Sequence, residues 1–380
     1  MSGGRSADGG RGADSACGPD SAGGSIATHA DLDRIAEILG PLATRGAPLG
    51  RRTTYRVGGE AAVLVEAATE EDLYRCHEAL RAVSRPVPLV VVGKGSNLLV
   101  ADSGFPGLAV VLGGGFESVE IDRTGLRATI GKGEPTAVSA GGAVGLQALA
   151  RQTAGEGLAG FEWAVGVPGS IGGAVRMNAG GHGSQMADVV TGARIFDLAT
   201  GSAAWHELRE LGLGYRASAL RARDVCVAAC LSLRSDDPQA CLRRVGEVVR
   251  WRRENQPGGL NGGSVFTNPE GDAAGRLVDV SGLKGLRLRS AQVSLKHANF
   301  FQADPDGAAD DVRALIEEVR DEVRASQGVL LEPELKMVGF PGDELPLVVA
   351  SGADTQDPGP LLEPHHQPEL EIEREGKARR

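Results

Sequence analysis

From residue 93 to 230 the chain is written in short β-rich runs punctuated by glycine: GLAVVLG, GLRATIG, GARIFDL and DVCVAACLSL. Runs of that length bounded by glycine read as strands joined by turns, so this stretch builds sheet, and one helix interrupts it near 136–154. Upstream, Thr69-Glu-Glu-Asp72 opens a helix like a capping box, with Asp in place of Glu. Leu73, Cys76, Leu80 and Val83 then recur at helical spacing, Pro86 and Pro88 stop it, and LVVV (89–92) is a buried strand. A new unit begins at Asp237-Pro238, an N-cap and first-turn pair, with a helix through RVGEVVRWRREN. A second helix covers 310–327, with Val312, Leu315, Ile316, Val319 and Val323 on one face and Gly328 at its end. LLEPELKMV (330–338) reads as a strand that Pro333 confines to an edge or a strand start.

A chain of 380 residues holds two or three domains at about 100–200 residues each. Its 56 glycines and its aromatic content of 4% fit a loop-rich α/β or α+β protein. The formal charge of −10 argues against a sequence-independent nucleic-acid binder, which needs a basic footprint. No apolar run reaches the length of a membrane span, and the N-terminus lacks the hydrophobic region of a signal peptide. Five scattered cysteines and seven histidines show neither disulfide nor metal-ligand spacing, so a cytosolic, metal-free protein is expected. Both ends read as disordered tails. Residues 1–28 are rich in Gly, Ser, Asp and Ala, and residues 341–380 carry nine acidic against four basic residues.

Three glycine-rich loops and one serine turn carry the chemistry. In NGGSVFTNP (261–269) two glycines bring Ser264 close to something. It is not a G-x-S-x-G nucleophile elbow, because position 266 is Phe and no helix follows. GEGLAG (155–160) matches a dinucleotide fingerprint by letter only, since the helical stretch precedes it instead of following. GKGSN (93–97) leaves a strand directly but enters another apolar run, which excludes both the Rossmann turn and the P-loop. Its consecutive amides form either an anion nest or a plain tight turn. With GVPGSIGGAVRMNAGG (166–181) and TYRVGG (54–59) it suggests a ligand with a pyrophosphate and a flat ring system.

The ordered set TYRVGG, GKGSN, GVPGSIGGAVRMNAGG, GYRAS (214–218), GGSVFTNP and LEPELKMVG resembles the UDP-N-acetylenolpyruvoylglucosamine reductase (MurB) family, from about residue 45 to 340. The resemblance implies an α+β protein. An FAD-binding fold of the vanillyl-alcohol oxidase type spans 29–235 in two subdomains divided near 110, and a C-terminal α/β substrate-binding domain spans 236–340. It implies reduction of UDP-N-acetylglucosamine enolpyruvate to UDP-N-acetylmuramate with FAD and NADPH, in peptidoglycan precursor synthesis, by a monomer with no nucleic-acid or membrane partner. Ser264 would be the proton donor, Arg216 the stabilising charge and Glu334 the catalytic carboxylate. In an extended segment Lys336 shares a face with Glu334. Residues implied at the cofactor are Arg56, Gly58, Gly93, Lys94, Gly95, Ser96, Asn97, Leu98, Gly166, Pro168, Gly169, Ser170, Gly173, Asn178, Ala179, Gly180 and Lys336. Tyr215, Arg252, Asn268 and His297 are implied at the substrate, with a core-filling Tyr, a structural His and a solvated RWRR face as alternatives.

Two departures stand out. The short link between Ser232 and Pro238 leaves no room for a tyrosine-bearing loop, as in the shorter second type of the family. ENQPGG carries Asn255 and Gln256 where a lysine is common, which leaves Arg252 as the first candidate for the diphosphate. The rival functions are an FAD-dependent oxidase of the same fold, which has no use for GGSVFTNP with LEPE, and a non-enzymatic binder of nucleotide sugars.

Overall fold

A computed structural model describes residues 26–122, 135–342 and 345–349. The first unit holds α1 (His29–Leu39), β1 (Ala43–Ala47), β2 (Ala61–Ala67), α2 (Glu70–Arg81), β3 (Val87–Val92), β4 (Leu98–Val100) and β5 (Phe105–Leu112). Its sheet runs β1-β2-β5-β3, parallel except for β1 against β2. Both helices start on capping boxes, Thr28 with Asp31 and Thr69 with Asp72, each cap being worth about 1 kcal/mol. Their buried stripes, Ile35 and Leu39 on α1 and Leu73, Cys76 and Leu80 on α2, share one core with Val63, Val65, Leu89 and Leu108 of the sheet.

The second unit holds β6 (Val119–Ile121), β7 (Pro135–Gly141), α3 (Leu146–Gly155), β8 (Leu158–Ala159), α4 (Ile171–Arg176), the hairpin β9 (Gly180–Gly181) and β10 (Ser184–Gln185), β11 (Val190–Asp197), β12 (Ser202–Glu207), β13 (Asp224–Ser235) and α5 (Pro238–Asn255). Its sheet is antiparallel in the order β12-β11-β13-β7-β6. The helix expected over 136–154 is therefore a strand followed by a shorter helix. Residues 136–141 alternate between buried and exposed sites and pair with β13, and only from Leu146 does the helical stripe begin. The expected strand GLRATIG lies outside the described residues. A boundary at 236 would assign α5 to the third unit, yet its buried Cys241 and Val245 pack in the second core with Leu149 and Trp163.

The third unit holds β14 (Leu260–Ser264), α6 (Ala274–Val280), β15 (Arg287–Leu288), β16 (Ala291–Val293), β17 (Phe300–Ala303), α7 (Ala309–Gln327) and β18 (Lys336–Val338), after which β19 (Leu347–Val348) returns to the first unit as an antiparallel edge strand beside β3. An antiparallel sheet in the order β14-β17-β16-β15 lies under the buried face of α7. The strand expected over 330–338 is short. Only β18 forms a ladder, parallel to β4 of the first unit, while Pro333 makes a single bridge to Phe266. Tyr55, Val57, Leu99 and Ala101 of the first unit belong to this third core. The tails expected from 341 onward and up to 28 also need correction within the described residues. β19 pairs with β3 and buries Val348, Ala27 donates to Pro86 O at 2.8 Å, and Thr28 caps α1.

Candidate active site

The loop 93–97 follows β3 and faces the loop 166–173 across a cleft of about 300 Å³ lined in part by Gly93, Lys94, Ser170 and Gly173. Contact between the two loops is close. Ser96 Oγ donates to Pro168 O at 3.0 Å, and a Cβ on Gly93 would lie 2.4 Å from Ser170 Oγ. Gly95 has φ +64° and Gly169 φ +139°, conformations that favour glycine. A Cβ on Gly95 would also stand 2.5 Å from Arg52 O. The cleft has further lining residues that the sequence motifs did not single out: Val91, Val92, Gly142, Ala143, Arg176 and Asp224. Gly142 follows β7 directly, and its carbonyl accepts from Gly172 N at 2.9 Å. The glycine pair at 141–142 was a signal for it, hidden by reading the surrounding small residues as helix. Arg176 lies in GVPGSIGGAVRMNAGG itself and donates to Arg221 O at 2.7 Å.

A second cluster forms where the three units meet. The segment 332–335 runs beside the serine turn, with Glu334 N donating to Val265 O at 2.8 Å and Thr267 N to Glu332 O at 2.9 Å. That pairing sets Glu334 next to half-buried Ser264 at the end of β14. Arg216 arrives from the GYRAS turn with φ +56° and puts Nε 2.9 Å from Glu334 Oε1. The contact is a close ion pair between two largely buried side chains, with the Nε–H imperfectly aligned on the carboxylate. Burial raises the pKa of Glu334 above the ordinary carboxylate range, with Arg216 and then Lys336 pulling the other way. Lys336 has an open face but enough protein around it that desolvation lowers its pKa, helped by Arg176 and opposed by Glu334.

The supporting residues are tied to this centre by backbone. Asn97 Nδ2 donates to Glu334 O at 3.1 Å, Lys336 N to Asn97 O at 3.2 Å, and Leu98 pairs with Lys336. Buried Asn178 holds Gly214 O at 2.9 Å from its Nδ2, and Arg216 reaches Gly180 O at 3.3 Å. Ala179 N closes α4 on Ala174 O, and the ring of Tyr215 lies 5.5 Å from the Arg216 guanidinium. Gly58, with φ +103°, crosses so near β4 that a Cβ would meet Val100 O at 2.1 Å, and exposed Arg56 has φ +56°. Gly166 backs onto His182, whose ring meets Trp251 edge-on at 4.8 Å.

The expected substrate residues Asn268, His297 and Arg252 are held by contacts of their own, and His297 packs on Phe300, the strand partner of Ser264. Asn268 Oδ1 accepts from Ala274 N at 3.1 Å and caps α6, and His297 Nδ1 accepts from Asn299 N at 3.2 Å. Burial, then Lys284, lowers the His297 pKa and favours a neutral ring against Phe300. Burial likewise lowers the pKa of Arg252, whose charge bears on His182.

Residues 61–206 match the FAD binding domain. Two sheet units with a glycine-lined cleft in that domain define an α+β flavin-dependent oxidoreductase. Residues 256–338 match the C-terminal domain of UDP-N-acetylenolpyruvoylglucosamine reductase. The reductase of that name from Paramagnetospirillum magneticum is 40% identical over 298 residues, covering 78% of this chain and 92% of its own. That of Rubrobacter xylanophilus is 39% identical over 311 residues, covering 81% and 99%. The crystal structure of the Thermus caldophilus reductase superposes with a TM-score of 0.65 at 34% identity, covering 77% of this chain and 98% of its own. The chain belongs to the UDP-N-acetylenolpyruvoylglucosamine reductase family.

Proposed function

We propose that the chain reduces UDP-N-acetylglucosamine enolpyruvate to UDP-N-acetylmuramate for peptidoglycan precursor synthesis, with NADPH as reductant and FAD as resident cofactor. The observation that carries this is the ion pair of Arg216 with Glu334, held beside the serine turn by the hydrogen bond from Glu334 N to Val265 O. The cleft fits a flavin nucleotide. Gly93, Gly142 and Gly172 leave no space for side chains, its floor is apolar at Val91, Val92 and Ala143, and Lys94 and Arg176 offer positive charge. The loops 93–97 and 166–173, with 178–180, would hold the cofactor, and Lys336, paired with Leu98 just after the first loop, adds positive charge near Glu334.

Bound FAD, reduced by NADPH, would supply hydride to the methylene carbon of the vinyl ether, so the chain's own residues must meet negative charge at the adjacent carbon and deliver a proton there. Arg216 meets that charge with a guanidinium that stays protonated and is already oriented in the site. Ser264 gives its proton to the carbon, on the pattern of a positioned general acid. Glu334 holds the guanidinium in place, and its raised pKa lets it keep a proton more readily than an exposed carboxylate does. Tyr215, Arg252, Asn268 and His297 would contact the UDP-sugar beyond the reacting carbons.

We place the enzyme in the cytoplasm, as a monomer without nucleic-acid or membrane partners. Among the described residues no helix is long and apolar enough to cross a membrane, and the net charge of −10 disfavours polyanions. The test is a UV-visible spectrum of the purified protein followed by NADPH consumption dependent on the enolpyruvyl substrate. A protein without a flavin band would sink the flavoenzyme assignment. A flavin band without substrate-dependent consumption would point to an oxidase of the same fold.

A further inference from the structure

Tyr55 lies in the TYRVGG run but has no place in the chemistry described so far. Its side chain is fully buried, in the core of the third unit, and its hydroxyl finds no hydrogen-bond partner. Burial pushes the phenol pKa up, only partly opposed by the Gly262 backbone, so the group stays a neutral phenol. What the ring touches is more telling. A Cβ on Gly262 would lie 2.7 Å from Tyr55 Cε2 and 2.9 Å from Leu335 Cδ1. The next residue, Gly263, has φ +81°, and the one after it is Ser264. On its other side the same segment supports the cleft loop. Thr54 N donates to Gly95 O at 3.0 Å, and Gly95 has no room for a Cβ beside Arg52 O and Thr53 Cα.

We propose that Tyr55 is a positioning residue whose ring is the floor under the Gly262–Gly263–Ser264 turn, setting the height of the Ser264 hydroxyl relative to the loop 93–97. The inference rests on Ser264 being the proton donor and adds how that donor is placed. The ring carries the role, because it fills the space that a side chain at Gly262 would need, while the hydroxyl has only the Gly262 backbone near it and makes no well-aligned hydrogen bond. Gly262 is glycine because the ring occupies the space of a side chain.

The test uses the flavin-loaded enzyme and its two half-reactions, with flavin content and melting temperature recorded for each variant. Gly262→Ala lifts the turn off the ring, so reoxidation by the enolpyruvyl substrate slows by about tenfold to a hundredfold, the scale of a misplaced catalytic group. Flavin reduction by NADPH stays within about twofold, because it draws no proton from Ser264. Tyr55→Leu slows reoxidation less, and the double variant Gly262→Ala with Tyr55→Leu reoxidises faster than Gly262→Ala alone. Tyr55→Phe, which keeps the ring, restores reoxidation relative to Tyr55→Leu. Additive effects at 55 and 262, equal slowing of both half-reactions, or a Tyr55→Phe variant as slow as Tyr55→Leu would each overturn the floor. If Gly262→Ala does not fold, the comparison of Tyr55→Leu with Tyr55→Phe decides alone. Ser264→Ala runs in parallel. If it leaves reoxidation intact, the donor assignment fails, whereas a slow Ser264→Ala beside unaffected floor variants removes only the floor.

Discussion

Ser264 and Glu334 each depend on a neighbour for what they can do. A serine hydroxyl is a weak acid, so it serves as donor only where a strongly basic carbon is brought against it. Ser264→Ala should leave flavin reduction by NADPH near normal and slow reoxidation by the enolpyruvyl substrate. The loss should be about 10²–10⁴-fold, the usual contribution of general acid catalysis. Stopped-flow absorbance of the flavin separates the two steps, and the opposite pattern would make Ser264 a nicotinamide-positioning residue. Glu334 gives a pH signature. Its folded pKa is raised by burial, so the stability tied to its protonated form is present below the unfolded value and lost as pH rises through the folded value. Glu334→Gln removes that titration. The melting temperature of the unmutated protein should therefore fall relative to the Gln variant as pH rises through that window. A difference independent of pH would mean that Arg216 fully offsets the burial.

At the scale of elements, the glycine loops and the helix caps make different demands. Gly95 and Gly169 both have positive φ, and a side chain at Gly95 has backbone at 2.5 Å. Gly95→Val and Gly169→Val should both purify with less flavin, measured as the ratio of flavin to protein absorbance. Full occupancy in both would displace the cofactor from these loops. The helices α2, α5 and α7 were legible through different local signals: a capping box and a proline stop for α2, an N-cap with a first-turn proline for α5, and an apolar face ending at Gly328 for α7. The stretch 136–154 was not, because its Ala, Gly and Val suit a strand and a helix alike. Pairing with β13 decides for the strand up to Gly141.

At the scale of the molecule, the units lean on one another in ways that no single segment announces. Helix α7 has no cap of its own. Asp102 of the first unit supplies it, accepting from Ala309 N at 3.0 Å and Asp310 N at 2.9 Å. Asp102→Ala should lower stability to urea by about 1 kcal/mol, the cost of losing an N-cap, and an unchanged midpoint would show the cap to be idle. A chain cut to 29–342 loses Val348 from the first core and Thr28 from α1. Burying a valine is worth about 1.5–3 kcal/mol, so this chain should melt lower than the full-length protein. A chain of 26–349 should match the full length. Equal melting of both truncations would show that β19 contributes nothing.

The α+β class and the glycine loops were legible in the sequence alone, through periodicity, caps and turn residues, whereas the roles proposed for Ser264, Arg216 and Glu334 came from the family resemblance that six motifs in order carry. Only the tertiary structure decided that α5 belongs to the second core, that Asp102 caps a distant helix and that Glu334 lies against the serine turn. It also decided that Gly142 and Arg176 line the cleft and that Tyr55 lies under Gly262. The reason is physical. Such contacts join residues far apart in the chain, and burial, ion pairing and steric exclusion arise only once packing has brought their surfaces together.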